Sequence, residues 1–453
     1  MAQAPYFVVS PNTLLSLVGL ACRRGEFKRV PPRSREVKID VVIPARNEAR
    51  LIPIALDSLA RQTRRPDRVI LFDDNSSDRT VEFAEAVCKA NGLNLEIHRR
   101  KVQEGKTPSV RQVAFRSDAE IEFVLDGDTV LVDDNYVERV ADVLLSDRQV
   151  AAVCGLVKPL YERNRAAWFR SERLRPLADL LRQDEPPGFR AWLRRGARAI
   201  TNLYRDVLYF FLQHIIYRGQ LGLFGTMINP VGCAVAYRRK YLRGVFEHFK
   251  PTLGDNLTVS EDIFIGFAFA QQGLRNVQLE DIACRSMEPE AQRAPRQVIL
   301  WSSAFVQCCY HFPALLASPV KRIAGMFGRK APAEPAPDPA QGWQTSREQE
   351  TRTHGRPIGW SICLELFEKA SFPLALIAML SLQWWEALWI TLAAETGVLA
   401  LLSFVTARRE APIMAVKTVI AAPLRYGSIL FDLVTFARFF HDIVVHGGQR
   451  WRK

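Results

Sequence analysis

The sequence predicts an α/β fold, a domain with a mostly parallel sheet followed by interfacial and transmembrane helices. Three observations carry this. From Lys38 to Leu125, short apolar runs alternate with amphipathic helical stretches. Several of the apolar runs end abruptly in polar, acidic residues, and beyond Ile299 the hydrophobic content climbs into long stretches with few charges.

The chain has 453 residues, too many for one compact core, so a globular region with something attached is expected. Residues 1–37 open with an apolar stretch, Phe7 to Ala21, which is short and interrupted by Pro11 and Asn12. Arg23, Arg24 and Lys28 follow it, the reverse of signal-peptide order, which makes it an interfacial helix at most. Pro31 to Lys38 reads as a basic linker. Residues 38–296 then form the main domain. Lys38 to Ile43, Val69 to Phe72, Leu93 to His98 and Ile121 to Leu125 read as strands, with helices over Ala49 to Gln62, Asp78 to Asn91 and Pro108 to Arg116 between them. Ligands of such sheets bind beyond the carboxyl ends of the strands. Those ends here are Ala45-Arg46-Asn47-Glu48, Asp73-Asp74-Asn75-Ser76 and Asp126-Gly127-Asp128.

Asp126 and Asp128 project the same way just past a strand, because the side-chain period of a strand is two. Such a pair can hold Mg²⁺ or Mn²⁺, which prefer oxygen ligands and leave positions open for the phosphates of a nucleoside diphosphate. A helical, arginine-rich insertion covers 163–220, with Trp168, Trp192, Tyr204 and Tyr209 interleaved; it suits either a solvated face or a helix pair lying on a membrane. Cys233 to Tyr237 returns to strand character. Ser260-Glu261-Asp262 then opens a helix that Gly273 stops.

Residues 297–320 carry no formal charge and are long enough to span a bilayer or lie on its surface. Residues 321–360, basic and rich in Ala and Pro, read as a flexible cytosolic loop. In 361–453, Phe372 to Trp385 and Ala387 to Ala407 suit a transmembrane hairpin, with Glu395 obliged to face a helix partner or cavity. Ile413 to Val445 is a further hairpin or an interfacial pair. Basic residues at Lys321-Arg322, Arg408-Arg409 and Arg450 to Lys453 then fall on the cytoplasmic side of a multi-pass inner (plasma) membrane protein.

The net charge of +13 suits phosphates or an anionic membrane face. No zinc-finger spacing, basic zipper or aromatic RNA-binding signature is present, which disfavours nucleic acid. Eight scattered cysteines without a CxxC pair indicate a reduced setting.

Ile43-Pro44-Ala45-Arg46-Asn47-Glu48, Asp73-Asp74-Asn75-Ser76-Ser77-Asp78, Gly105-Lys106 and Asp126-Gly127-Asp128 resemble the ordered motifs of family 2 glycosyltransferases with a GT-A fold. Tyr217-Arg218-Gly219-Gln220, Gly232-Cys233-Ala234, Tyr237-Arg238-Arg239 and Ser260-Glu261-Asp262 are similar to its membrane-embedded branch of hyaluronan, chitin and cellulose synthases. The resemblance implies a membrane-bound inverting transferase that moves a sugar from a UDP-sugar to a polysaccharide or glycolipid at the cytoplasmic face. It implies donor contacts at Pro44, Asn47, Glu48, Asp74, Lys106 and Asp126, with Asp73 a further candidate, and a metal at Asp128, shared with Asp126. Asp262 would be the general base and Glu261 its neighbour in orienting the acceptor. Gln297-Val298-Ile299-Leu300-Trp301 occupies the place of a Gln-x-x-Arg-Trp motif, so Gln297 and Trp301 are acceptor candidates on one helical face. Leu300 stands where arginine is usual, and Arg293 or Arg296 can substitute. Two alternatives stay open: a transferase acting on a polyprenyl phosphate, and a silent nucleotide-binding membrane protein.

Overall fold

The computed structural model describes residues 10–22, 27, 30–181, 189–289, 291–326, 336–338, 340–407 and 410–446. Phe7, the basic clusters Arg23-Arg24, Lys28, Arg408-Arg409 and Arg450 to Lys453 lie outside them. Eight strands form one sheet: β1 (Ile39–Ala45), β2 (Arg68–Asp73), β3 (Leu95–Arg99), β4 (Ile121–Leu125), β5 (Thr129–Leu131), β6 (Val150–Pro159), β7 (Ala234–Arg238) and β8 (Arg275–Ser286). Their order is β3-β2-β1-β4-β7-β6-β8-β5. The β3-β2-β1-β4 half is parallel throughout, as the βα rhythm predicts, and β6 runs parallel to β8. The pairs β4–β7, β6–β7 and β5–β8 are antiparallel, so the sheet is mixed and mostly parallel.

The helices are α1 (Pro11–Ala21), α2 (Ile52–Ala60), α3 (Thr80–Asn91), α4 (Lys106–Arg116), α5 (Tyr136–Ser146), α6 (Glu162–Trp168), α7 (Ala178–Leu181), α8 (Phe189–Phe211) and α9 (Arg218–Phe224). A π-helical turn, Leu212–Tyr217, joins the last two. They continue with α10 (Arg239–Leu253), α11 (Glu261–Gln271), α12 (Ala294–His311), α13 (Pro313–Leu316), α14 (Ser318–Met326), α15 (Thr345–His354), α16 (Gly359–Ser381), α17 (Trp385–Thr406) and α18 (Ala411–His446). Two apolar cores sandwich the sheet. One contains Ile43, Leu56, Phe83, Phe123 and Tyr136; the other contains Val124, Val235, Phe246, Phe264 and Phe267.

Four expectations for the helical part change. The uncharged run 297–320 does not form one span. Pro313 interrupts it after α12, and Phe305, Cys308, Cys309 and Phe312 are buried in the second core beside Phe264 and Phe267 of α11. The 321–360 stretch contains an ordered helix, α15. There Arg347 donates to the Gln272 and Gly273 carbonyls, and Thr351 donates to the Gln271 carbonyl at 2.5 Å. Those bonds tie it to the C-terminus of α11, where carbonyls lack helical partners. Ile413 to Val445 forms neither a hairpin nor a pair but most of one 36-residue helix, α18, with Pro423 inside it. Of the expected hairpin, only α17 is long and apolar enough to cross a membrane, among the described residues. Helix α16 carries Glu365, Glu368 and Lys369, so a multi-pass arrangement does not follow from these helices. Glu395, in α17, does face a partner: the Arg425 guanidinium pairs with both of its oxygens, and the Tyr426 hydroxyl lies 2.6 Å away.

Helix α1 docks on α9 through backbone-to-backbone approach. A Cβ added at Gly219 would sit 2.3 Å from the Ser16 carbonyl oxygen, and one at Gly222 would sit 2.1 Å from that of Gly19. Gly219→Val is therefore expected to lower the melting temperature, at a cost of about 1–3 kcal/mol for overpacking. Gly196→Ala, whose added Cβ meets nothing within 4 Å, should leave it unchanged or slightly raised.

Candidate active site

The acidic strand ends converge because parallel strands β2, β1 and β4 deliver their carboxyl termini to one edge. β4 breaks at Leu125, and the Asp126 amide donates to the Cys233 carbonyl at 2.9 Å, which continues the β4–β7 register. The turn that follows passes close to the end of β1: a Cβ at Gly127 would lie 3.2 Å from Ala45 Cβ and Glu48 Cγ, the tight approach that a glycine permits. Met287 donates its amide to the Asp128 carbonyl, and Asp128 Oδ1 accepts from Thr129 Oγ1 at 3.1 Å and from Ser286 Oγ at 3.4 Å. Asp128 is thus fixed from both its own strand end and β8.

Lys106 starts α4 after Gly105, whose φ of 86° gives the chain its turn into the helix. Its Nζ lies 2.7 Å from Asp126 Oδ1 and 3.1 Å from Glu261 Oε1, and donates to the Gly232 carbonyl at 2.9 Å. Burial works against its charge, yet the Asp126, Glu261 and Asp262 carboxylates hold its pKa well above the ordinary lysine value. Glu261 and Asp262 are the first residues of α11. Asp262 Oδ2 accepts the Gly232 amide at 3.0 Å, and Oδ1 accepts from Ser260 Oγ and from its neighbour's amide, Ile263 N, at 2.9 Å. A Cβ at Gly232 would come 2.4 Å from that Oδ2, so the position admits only glycine without movement. One chamber of about 1070 Å³ is lined by Lys106, Asp126, Asp128, Glu261 and Asp262, and by Gln297 and Trp301 of α12. The structure therefore brings the Asp126–Asp128 end and the Glu261–Asp262 start to one cleft.

The remaining sequence-nominated residues lie at the ends of β1 and β2. Pro44 is within β1, opposite Phe72. Asn47, in the left-handed region at φ 57°, accepts the Ser77 amide at 2.8 Å, and its own amide donates to Ser76 Oγ at 3.0 Å. The Glu48 amide donates to Thr80 Oγ1 at 2.8 Å. Asp73 accepts the Ser76 amide at 3.1 Å. Asp74 accepts the amides of Glu104 and Gly105 at 2.8 and 2.9 Å and pairs with Arg100 at 3.2 Å. Its carboxylate thus secures the loop that presents Lys106.

Gln297 and Trp301 share a face of α12, and the arginine that meets them was missed in the sequence. Arg205 of α8, fully buried, donates to Gln297 Oε1 at 2.5 Å, stacks 4.1 Å above the Trp301 ring and pairs with Glu288 at 3.2 Å. Arg296 lines the chamber, while Arg293 caps α12. Among the twelve arginines in the insertion, nothing in the pattern marks Arg205 apart; only its aromatic neighbours Tyr204 and Tyr209 hint at burial.

The electrostatics test whether a cation fits. Burial, then Asp128, Asp126 and Asp78, push the Glu48 carboxyl up to about 9. Burial and Asp126, with Glu288 adding to them, push Asp128 up to about 7. Such crowded carboxylates favour a positive partner. Among the described residues, no group of three or more His, Cys, Asp or Glu side chains forms a metal cage. A cation held by one or two carboxylates and completed by substrate phosphates needs no cage, and Asp126 and Asp128 fit that manner of binding.

Comparison with known proteins agrees with the geometry. Residues 40–246 match the family described as Glycosyl transferase family 2. The chain is 31% identical over 128 residues to the O-antigen chain rhamnosyltransferase RfbN of Salmonella typhimurium, covering 28% of this chain and 40% of that one. It is 32% identical over 105 residues to the poly(ribitol-phosphate) beta-N-acetylglucosaminyltransferase TarS of Staphylococcus aureus, covering 23% and 17% respectively. It thus spans well under two thirds of either relative. A mannosyltransferase from Pyrobaculum calidifontis, solved in complex with GDP-Man and Mn²⁺, shares the fold at 15% identity and a TM-score of 0.50, over 95% of both chains. The fold and cleft define a GT-A domain. With the match over residues 40–246, the chain carries a family 2 glycosyltransferase domain. None of these three relatives is a hyaluronan, chitin or cellulose synthase.

The raised carboxyls give a pH signature. An acid whose folded pKa lies above its unfolded value binds protons more tightly when native, so stability falls as pH rises from about 4 towards 7. Asp128→Asn removes that loss. In chelator, its melting temperature should match the parent's near pH 4, exceed it increasingly up to pH 7, and stay above it beyond; a constant difference across this range would contradict the crowding.

Proposed function

We propose that the protein transfers a sugar from a nucleoside diphosphate sugar, a UDP-sugar in the first instance, to a hydroxyl of a polysaccharide or glycolipid, with inversion, on the cytoplasmic side of a membrane. The observation that carries this reading is the single chamber with Asp126 and Asp128 on one wall, the Glu261–Asp262 helix start on another, and Lys106 between them.

The acceptor hydroxyl oxygen attacks the anomeric carbon as the bond from that carbon to the diphosphate breaks, and the bonding pair leaves with the diphosphate. Asp262 takes the hydroxyl proton. Its Oδ2 is already oriented by the Gly232 amide, and burial followed by the Glu261 charge raises its affinity for a proton above that of an ordinary carboxylate. Lys106 keeps Glu261 and Asp126 apart from each other's charge and supplies a positive group at the donor side. Asn47 and Glu48, with Pro44 and Asp74 behind them, border the place for the base and ribose. Trp301 offers the acceptor a ring face. Mg²⁺ or Mn²⁺ at Asp126 and Asp128, when bound, neutralises charge on the departing diphosphate. Membrane attachment is assigned to α17, with 17% of its apolar window buried inside the protein.

Asp262→Asn should lower transfer by about 10²–10⁴-fold, the usual contribution of a positioned base, while nucleotide binding measured by calorimetry persists. Asp128→Asn should weaken both. Turnover at the parental rate in Asp262→Asn, read as nucleoside diphosphate release, would remove the base assignment.

A further inference from the structure

Beside the chamber lies a second, partly open cavity of about 270 Å³, lined by α1, α8, α17 and α18. Leu208 and Phe211 of α8, Val398 and Leu399 of α17, and Ala421 of α18 form much of its wall. The two spaces are neighbours: Tyr204, Leu208, Leu212 and Arg425 line both. At this shared boundary the chemistry changes. Apolar side chains give way to the Arg425 guanidinium, which is paired with Glu395 and lies 4.5 Å over the Tyr426 ring. The chamber wall that Arg425 shares also carries Lys369, Asp432, Arg438 and Asp262. On the outside, the same helices expose apolar side chains: Val18 of α1, Phe404 and Val405 of α17, and Val416 and Ile420 of α18 are each at least half exposed.

We infer that the acceptor is a lipid, whose apolar chain occupies the α8–α17–α18 cavity while its polar, hydroxyl-bearing head reaches past Arg425 into the chamber. The assignment rests on the transferase reading above and narrows it from any polysaccharide or glycolipid to an amphipathic acceptor. A soluble glycan has hydroxyls to satisfy along its whole length and gains nothing from an apolar pocket. A long alkyl or polyprenyl chain gains in proportion to the area it hides from water. The exposed apolar rim gives such a chain a path from the bilayer without crossing water. The transition from greasy to charged walls at Arg425 sets how far the head enters, and thus which hydroxyl meets Asp262. The head is a glycosyl group, whose hydroxyl carries the proton that Asp262 takes; a phosphate head, already ionised and needing no base, is the competing outcome of the test.

The test uses the full chain in lipid nanodiscs with two hexadecyl probes, one ending in phosphate and one in glucose, each with a mid-chain diazirine. After photolysis, labelled peptides are mapped by mass spectrometry, and nucleoside diphosphate release from a panel of nucleotide sugars is measured in parallel. The expected result is labelling of residues 207–212 and 398–399 by at least one probe. Ala421→Trp and Leu399→Trp, which fill the cavity from two helices, should each reduce it at least fivefold with labelling at Phe404 and Val405 unchanged. The head that also receives sugar identifies the acceptor group. Labelling confined to the outer rim, or cavity labelling unaffected in both variants while they keep the parental melting temperature, overturns the inference. Donor turnover with an unlabelled cavity sinks the lipid assignment alone. A labelled cavity without turnover of any donor sinks the transferase reading and the acceptor role with it.

Discussion

The arrangement depends on like charges being forced together at one edge of a sheet. Parallel strands deliver Glu48 and Asp126–Asp128 to the same place, and α11 adds Glu261 and Asp262 from the opposite side. Lys106 is the internal counterion, in contact with both groups. One ammonium cannot neutralise five carboxylates, and burial, followed by the neighbouring carboxylates, pushes Glu48 and Asp128 upward. A site in this condition favours a ligand that brings positive charge, so in the proposed reaction a diphosphate would enter together with a cation.

Much of this was legible in the sequence, for a simple reason. Apolar runs that stop at acidic residues state both the strand and its end, so β1, β2 and β4 and their polar termini were readable, β3 was readable as a strand, and β4 was placed to the residue. The same logic found α11 from Ser260-Glu261-Asp262. The antiparallel half was not readable. β6 and β8 have no βα rhythm around them, and their register is set by β7 and by one another across more than a hundred residues. Nor did polarity predict that Asp74 spends its carboxylate on the backbone of the Glu104–Gly105 turn; a strand-end aspartate looks the same whether it faces a ligand or its own loop.

The apolar C-terminal third shows where composition misleads. An uncharged run long enough for a bilayer became a core helix because α11 offered Phe264 and Phe267 as a surface to cover. Hydropathy measures the wish to leave water, not the destination. Glu395 was more informative than the residues around it: a carboxylate within an apolar helix required a partner, and Arg425 with Tyr426 supplies it from α18. That contact fixes α17 against α18 and, with α8, defines the second cavity.

Leu300 and Arg205 complete the picture of how the chamber is closed. With leucine on α12 where the family resemblance has arginine, the cation comes from α8, more than ninety residues earlier in the chain. It arrives fully buried, stacked on Trp301 and paired with Glu288, whose charge also bears on Asp128. A guanidinium held in this way cannot reach for a phosphate as a solvent-facing one would. Its work is to clamp the insertion onto α12 and to balance Glu288 beside the candidate metal ligand. The helical insertion is therefore a wall of the candidate active site, anchored by the charge that α12 lacks, and the same helix carries Leu208 and Phe211 into the neighbouring cavity. Catalytic chamber and apolar pocket are thus built on one element, and a shift of α8 would alter both together.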